Sequence, residues 1–285
     1  MIHTQKTFWP SPAKLNLMLH IVGKNEQNYH LLQTVFQLLD VGDEIEITVS
    51  QDPSIKLSCN LAELENENNL AYRAAIALQQ QTQTTLGAQI HLNKKLPMGG
   101  GVGGGSSNAA TLLVALNQLW QCQLSATELA QIGVSLGADV PVFVHGFSAW
   151  AEGIGEKLTP IELPEIHYLI IHPECFVSTA KIFSHSALTR DCEISTIRDF
   201  LAQGGPYVGN NVMEPVVMQL YPEVEEALSW LKRYNSNARL TGSGSCVFAP
   251  FDNKREMSKI AALCKWPHFM AQGVNQSPLH NQKPI

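Results

Sequence analysis

Residues Pro97 to Ala110 read PMGGGVGGGSSNAA, with glycines at Gly99, Gly100, Gly101, Gly103, Gly104 and Gly105. Behind them Leu112, Leu113, Leu116, Leu119 and Trp120 recur at helical spacing, which predicts a helix beginning near Ser106. A glycine run loses backbone entropy on folding and builds no core, so it belongs where the backbone must approach something closely. At a helix start the free N–H groups and the positive end of the dipole point at an anion, and the stretch reads as a phosphate cradle. It is not a Walker A loop, because Gly105 is followed by Ser106 instead of lysine. Gly99-x-Gly101-x-x-Gly104 has the dinucleotide spacing. However, Asn93-Lys94-Lys95 separates the loop from the apolar stretch before it. The helix also leads into Ser125-x-x-Glu128, a capping box that opens another helix where a second strand would be needed. A flexible linker is the other alternative, but a linker does not normally end in a strong helix start.

Length and composition narrow the class. A chain of 285 residues can bury a large core, enough for two domains. With 45% hydrophobic and 15% charged residues it is globular rather than disordered. No apolar run reaches a membrane span, and MIHTQKTFWP lacks a signal-peptide core, so the expectation is a cytoplasmic protein without a membrane partner. The net charge of −6, with no basic cluster longer than Lys94-Lys95, argues against nucleic acid. The six cysteines are scattered without a CxxC, which predicts free, buried thiols.

Upstream, Pro12–Val22 alternates: Ala13, Leu15, Leu17, Leu19 and Ile21 face one way, Lys14, Asn16, Met18 and His20 the other. Period two makes it a strand. Lys14 is then a solvated lysine, or with Asn16 part of a polar pair lining a pocket. Leu31–Leu39 is a second strand, and Asp40-Val41-Gly42-Asp43 reads as a hairpin-like connection into the alternating Glu44–Ser50. Ile55–Ser58 is a further strand, residues 66–69 offer N-caps for a helix over Leu70–Gln81, and Gln89–Leu92 is a short strand. Lys94 and Lys95 are solvated loop charges or helpers near polyphosphate, with the former favoured. Asp139 is a turn or capping aspartate, or a carboxylate among apolar neighbours that could take a proton. His30 is a structural histidine or a functional one. The pattern changes near Pro160–Glu165, which divides the chain into 1–160 and 161–285. The second part reads strand, helices, two strands (Ala238–Leu240 and Cys246–Ala249), helix, strand, a split βαβ sheet around the second glycine loop Thr241–Ser245. The tail from Gly273 is polar and expected to be loose.

Three blocks stand in order: Pro12-Ala13-Lys14-Leu15-Asn16-Leu17, the loop Pro97–Ala110, and Leu240–Ala249. With Tyr29-His30 and LGADVPVF they resemble the GHMP kinase superfamily of small-molecule kinases across nearly the whole chain. The resemblance is strongest to members that phosphorylate a methylerythritol carrying cytidine diphosphate, in isoprenoid precursor synthesis. It implies an α+β, two-domain fold: an N-terminal domain like ribosomal protein S5 domain 2, a ferredoxin-like C-terminal domain, and a site in the cleft. It implies ATP as co-substrate, with magnesium. The nucleotide would lie against Asn69 and the loop Pro97, Met98, Gly99, Gly100, Gly101, Val102, Gly103, Gly104, Gly105, Ser106 and Ser107. Lys14 and Asp139 would form the catalytic pair. Asn16, Tyr29, His30, Thr179 and Phe183 would hold the substrate, Tyr29 and Phe183 flanking the cytosine. Metal ligands are not assigned beyond a loose nomination of Ser107.

The sequence departs from its relatives in two places. Asn28 follows Gln27 where Asp-Gly is usual before Tyr-His, and His20 stands where an aromatic residue is common. Asparagine tolerates left-handed geometry, so the turn can survive. The rivals are a mevalonate-, homoserine- or sugar-type kinase of the same superfamily, a silent ATP-binding regulator on the same fold, and a nicotinamide-dependent oxidoreductase. Lys14 with Asp139 disfavours the homoserine type and the silent regulator, and the missing second strand disfavours the oxidoreductase.

Overall fold

The computed structural model describes residues 6–281. Two long strands, β1 (Thr7–Lys24) and β2 (His30–Ser50), pair antiparallel along almost their whole length. The expected connection at residues 40–43 does not exist, because β2 runs straight through it. Its residues serve neighbouring segments instead of a turn: Asp40 accepts from the Gln272 N–H, Asp43 accepts from the Lys95 and Leu96 N–H groups, and Gly42 lies against the Ser11 carbonyl so closely that a Cβ would collide with it. Irregularities at Pro12/Lys14 and Asn16/Met18 interrupt the β1 ladder beside the two polar residues of interest.

β3 (Ile55–Cys59), α1 (Leu70–Thr82) and β4 (Gly87–Asn93) follow as a crossover, with β3 parallel to β4 and β4 antiparallel to β2. Asn69 caps α1 by accepting from the Ala71 N–H at 2.9 Å. α2 (Gly104–Leu119) starts two residues earlier than the apolar period suggests, inside the glycine run. α3 (Ala126–Leu136) opens on the Ser125/Glu128 capping box and stops at Gly137. α4 (Val140–His145) contains the apolar run after Asp139, and β5 (Ala149–Glu152) with β6 (Lys157–Pro160) completes this half. Ala109, Leu112, Leu113 and Leu116 of α2 pack with Ile45 and Ile47 of β2 and Phe143 of α4 in one core.

The second half contains β7 (His167–Ile171), α5 (Thr179–Ser184), α6 (Ile197–Ala202), α7 (Glu214–Leu220), α8 (Pro222–Lys232), β8 (Arg239–Leu240), β9 (Val247–Phe251), α9 (Lys254–Ala261) and β10 (His268–Val274). The strand order β10-β7-β9-β8, all antiparallel, is the ferredoxin-like split βαβ arrangement. β10 also pairs with β2 through Gly273 and Val274, so the two sheets are continuous. A core of β1, β7 and β9 side chains, among them Leu15, Leu17, Tyr168 and Phe248, fills the junction. This explains why both faces of β1 are buried.

The tail beyond Gly273 is packed rather than loose, at least through its described residues. Asn275 exchanges hydrogen bonds with Leu163, the Ser277 N–H donates to the Gly146 carbonyl, and Leu279 is buried in the first-half core. All six cysteines are free, with Cys59 and Cys246 buried. No helix among the described residues is long and apolar enough to cross a membrane.

Candidate active site

Lys14 is buried, not solvated. Its side chain is 3% exposed, and its ammonium group meets three acceptors: Asn16 Oδ1 at 2.5 Å, the Gly101 carbonyl at 3.0 Å and Asp139 Oδ2 at 3.1 Å. Three acceptors satisfy the three ammonium donors, which is what a buried lysine requires. Phe36 lies beneath, its ring centroid 5.4 Å from Nζ. Asp139 occupies the N-cap position of α4 yet makes no capping hydrogen bond. Its carboxylate is 34% exposed, so one side faces Lys14 and the rest remains accessible. Asp139 thus forgoes the local bond ordinary at an N-cap and turns its carboxylate to a buried cation.

The glycine loop wraps this pair. Gly103 has φ +78°, and a Cβ there would lie 2.7 Å from Phe143 Cζ and 3.0 Å from Lys14 Cγ. Only glycine fits without moving the lysine. No side chain caps α2, so its first N–H groups are left for an outside acceptor, and Gly104, Gly105 and Ser106 line a cavity of about 1110 Å³. Two supports hold the loop. The second glycine loop backs it from the other half: the Ser245 and Cys246 N–H groups donate to the Gly99 and Gly100 carbonyls at 3.2 and 3.1 Å, and Thr241 Oγ1 accepts from the Asn16 N–H at 3.0 Å.

The other support is a buried polar network. Asp43 Oδ1 accepts from the Lys95 and Leu96 N–H groups, and Oδ2 from Asn108 Nδ2 and the Lys94 ammonium. Asn108 also donates to Ser11, which donates to Ser107. Lys94 is therefore not a solvated loop charge, since its side chain is 5% exposed.

At the other end of the cavity stand Tyr29, His30, Thr179 and Phe183. Asn28 has φ +66°, the left-handed geometry expected of it in the turn before Tyr29. Tyr29 is 63% exposed, while His30 stacks on Phe183 with centroids 5.0 Å apart and planes 24° apart. Burial, with the charges of Lys24 and Arg190, holds His30 below the ordinary imidazole pKa. Thr179 and Ser243 hydroxyls are 2.7 Å apart, linking α5 to the second glycine loop.

The model of the GHMP kinases N terminal domain matches residues 69–147, and that of the GHMP kinases C terminal matches residues 194–267. The chain belongs to the GHMP kinase family. It is 53% identical over 274 residues to a protein of Mannheimia succiniciproducens named 4-diphosphocytidyl-2-C-methyl-D-erythritol kinase, covering 95% of this chain and 89% of that one. It is 52% identical over 275 residues to a protein of the same name from Nitrosococcus oceani, covering 95% and 96%. Among solved structures, a crystal structure of 4-(cytidine 5'-diphospho)-2C-methyl-D-erythritol kinase superposes with TM-score 0.81 at 29% identity, covering 94% of this chain and all of that one.

In this GHMP kinase the residues expected at the site all line the one cavity, except Ser107. Ser107 is fully buried, and its hydroxyl accepts a hydrogen bond from Ser11. Asn69 lines the cavity with its amide already engaged, bonded to Ala71 N–H and to the Leu64 carbonyl. Sequence reasoning missed Asp43, Asn108 and Ser11 beneath the loop. It also missed Gly242, Ser243, Gly244 and Phe176, which complete the cavity wall from the second half. The TGSGS run signals Gly242, Ser243 and Gly244; nothing local marks Phe176 or the first group.

Proposed function

We propose that this GHMP kinase transfers the γ-phosphoryl group of ATP to the 2-hydroxyl of 4-diphosphocytidyl-2-C-methyl-D-erythritol, giving the 2-phosphate and ADP, in isoprenoid precursor synthesis. The observation that carries the chemistry is the Lys14–Asp139 pair at 3.1 Å in the same cavity as the uncapped start of α2. The substrate rests on the shared name of relatives at 52% and 53% identity. Phosphoryl transfer depends on alignment and charge stabilisation. Asp139 takes the hydroxyl proton as the alcohol oxygen bonds to phosphorus and the bridging bond to ADP breaks. Lys14 orients the carboxylate and stabilises the developing negative charge. N–H groups of residues 103–106 hold the phosphates, with Asn69 and residues 97–102 around the rest of the nucleotide. Asn16 and Thr179 meet the polyol side, and Tyr29, His30 and Phe183 meet the base, whose flat face suits aromatic contact.

Magnesium is part of the proposal, carried in with ATP. Among the described residues no group of three His, Cys, Asp or Glu side chains is arranged to hold a metal. Bound with ATP, the ion would offset phosphate charge, and Asp139, a carboxylate lining the cavity, is the acidic side chain that would face it. We also propose the division at 160/161, supported by the ferredoxin-like unit that begins with β7, and a cytoplasmic setting, where ATP is supplied.

The test is ADP release with magnesium and ATP, comparing the cytidyl methylerythritol with mevalonate, homoserine and galactose. Turnover of the cytidyl compound alone is expected. Turnover of another alcohol would overturn the substrate, and ATP binding without turnover of any would favour the silent regulator.

A further inference from the structure

Arg190 lies in the connection between α5 and α6 and bonds back to both walls of the base end. Its Nε donates to His30 Nε2 at 3.2 Å. Its Nη1 donates to the Leu188 carbonyl, and its Nη2 to the Phe183 and His185 carbonyls, each at 2.8 Å. One guanidinium thus holds the imidazole of His30 and the backbone of Phe183, the two rings that stack at 5.0 Å. A guanidinium has five donors and no acceptor. The ring nitrogen it faces must therefore present a lone pair, and the proton of a neutral imidazole is left on Nδ1.

We propose that Arg190 is a positioning residue for the substrate's base: it fixes His30 in the Nδ1–H tautomer and in one orientation, and holds Phe183 in register with it. The inference rests on the cytidyl reading of the site. Cytosine presents an amino donor beside acceptors at N3 and O2, so an imidazole locked in one tautomer and one orientation offers that edge a defined partner, which a freely rotating ring would not. Burial, then the charges of Lys24 and Arg190, lower the His30 pKa, the same direction as the neutral ring that the Arg190 contact requires. The same arginine ties off the carbonyls at the end of α5, so the helix bearing Thr179 and Phe183 cannot shift independently of β2.

The first measurement needs no substrate. Long-range proton–nitrogen spectra of the imidazoles, with His30 assigned by comparison with His30→Ala, are expected to show Nε2 unprotonated and Nδ1 protonated. A proton on Nε2 would overturn the inference by itself. Steady-state kinetics supply the second test. Losing one fixed hydrogen bond is expected to make Arg190→Gln raise KM for the cytidyl substrate by about tenfold, with kcat and KM for ATP within about twofold. Because Arg190 acts through His30, the same change in a His30→Ala background should alter KM by less than about twofold. An equal rise in both backgrounds would refute action through His30. Absence of wild-type turnover with the cytidyl compound would sink the substrate reading, and with it the base contact. The tautomer of His30 tests Arg190 separately.

Discussion

Among the described residues, the Lys14–Asp139 and Lys94–Asp43 pairs should answer to mutation in opposite ways. Asp43 and Lys94 are 1% and 5% exposed, whereas Lys14 and Asp139 are 3% and 34% exposed. Asp43→Asn keeps the shape and the acceptor for the Lys95 and Leu96 N–H groups. Its amide nitrogen, however, would face the Lys94 ammonium and the Asn108 amide nitrogen, placing donors against donors. Lys94 would be left buried with Asn108 Oδ1 as its remaining partner, at 3.0 Å. Removing one member of a buried pair costs about 3–5 kcal/mol. For a chain of 285 residues, unfolding entropy of about 0.6 kcal/mol per degree makes that a fall in melting temperature of about 5–8 °C. Because Lys94–Leu96 lead directly into the glycine loop, KM for ATP should rise as well. Thermal unfolding followed by circular dichroism, and ATP titration of the folded variant at lower temperature, give both numbers. A melting temperature within about 2 °C of the parent, under about 1.2 kcal/mol, would refute the claim that this network seats the loop.

Asp139→Asn should keep stability within about 1 kcal/mol, since its carboxylate is partly exposed, while kcat falls by about 100-fold or more and ATP binding persists. Near-normal turnover would remove it as the base. Gly103→Ala adds left-handed strain and a contact at 2.7 Å with Phe143, together about 2–5 kcal/mol, and should depress kcat by displacing Lys14; a fully active, stable variant would contradict the close approach. Removing residues 277–285 exposes the pocket of Leu279 and should cost about 2–4 kcal/mol, read as a lower urea midpoint. His30 has its pKa lowered when folded, so its neutral state brings stability that is present above 6.5 and lost as pH falls through the lower folded value. KM for the cytidyl substrate should accordingly stay flat down to the ordinary imidazole value and rise only below it, measured across a pH series.

What could be read in advance was local. Asn69 before α1, the Ser125/Glu128 box and the glycine run before α2 each state their role within four residues, because caps and close backbone approaches act over one turn. The connection at residues 40–43 misled for the complementary reason. Asp and Gly together look like a turn when their partners are out of view. The partners of Asp43 lie 51 to 65 positions downstream, at Lys94, Lys95, Leu96 and Asn108, so the aspartate stabilises a loop it does not resemble in sequence. Lys94 was misjudged with it, since a lysine reads as solvated until its buried carboxylate is known.

Lys14 separates these two kinds of legibility. Its period in β1 gave the side it faces, but solvent covers that side in an ordinary half-buried strand. It is buried here because the second half supplies a lid of backbone, with Thr241 set against Asn16 and the Gly101 carbonyl, and because Asp139 reaches it from α4. Arg190 is illegible for the same reason, in a connection with no periodicity at all. It takes on a role only when α5 brings Phe183 against His30, 153 positions away in the chain. The elements of this kinase are thus written locally, while the chemistry of its cavity depends on cations whose partners come from distant segments. Those cations are where substitutions should separate catalysis from folding.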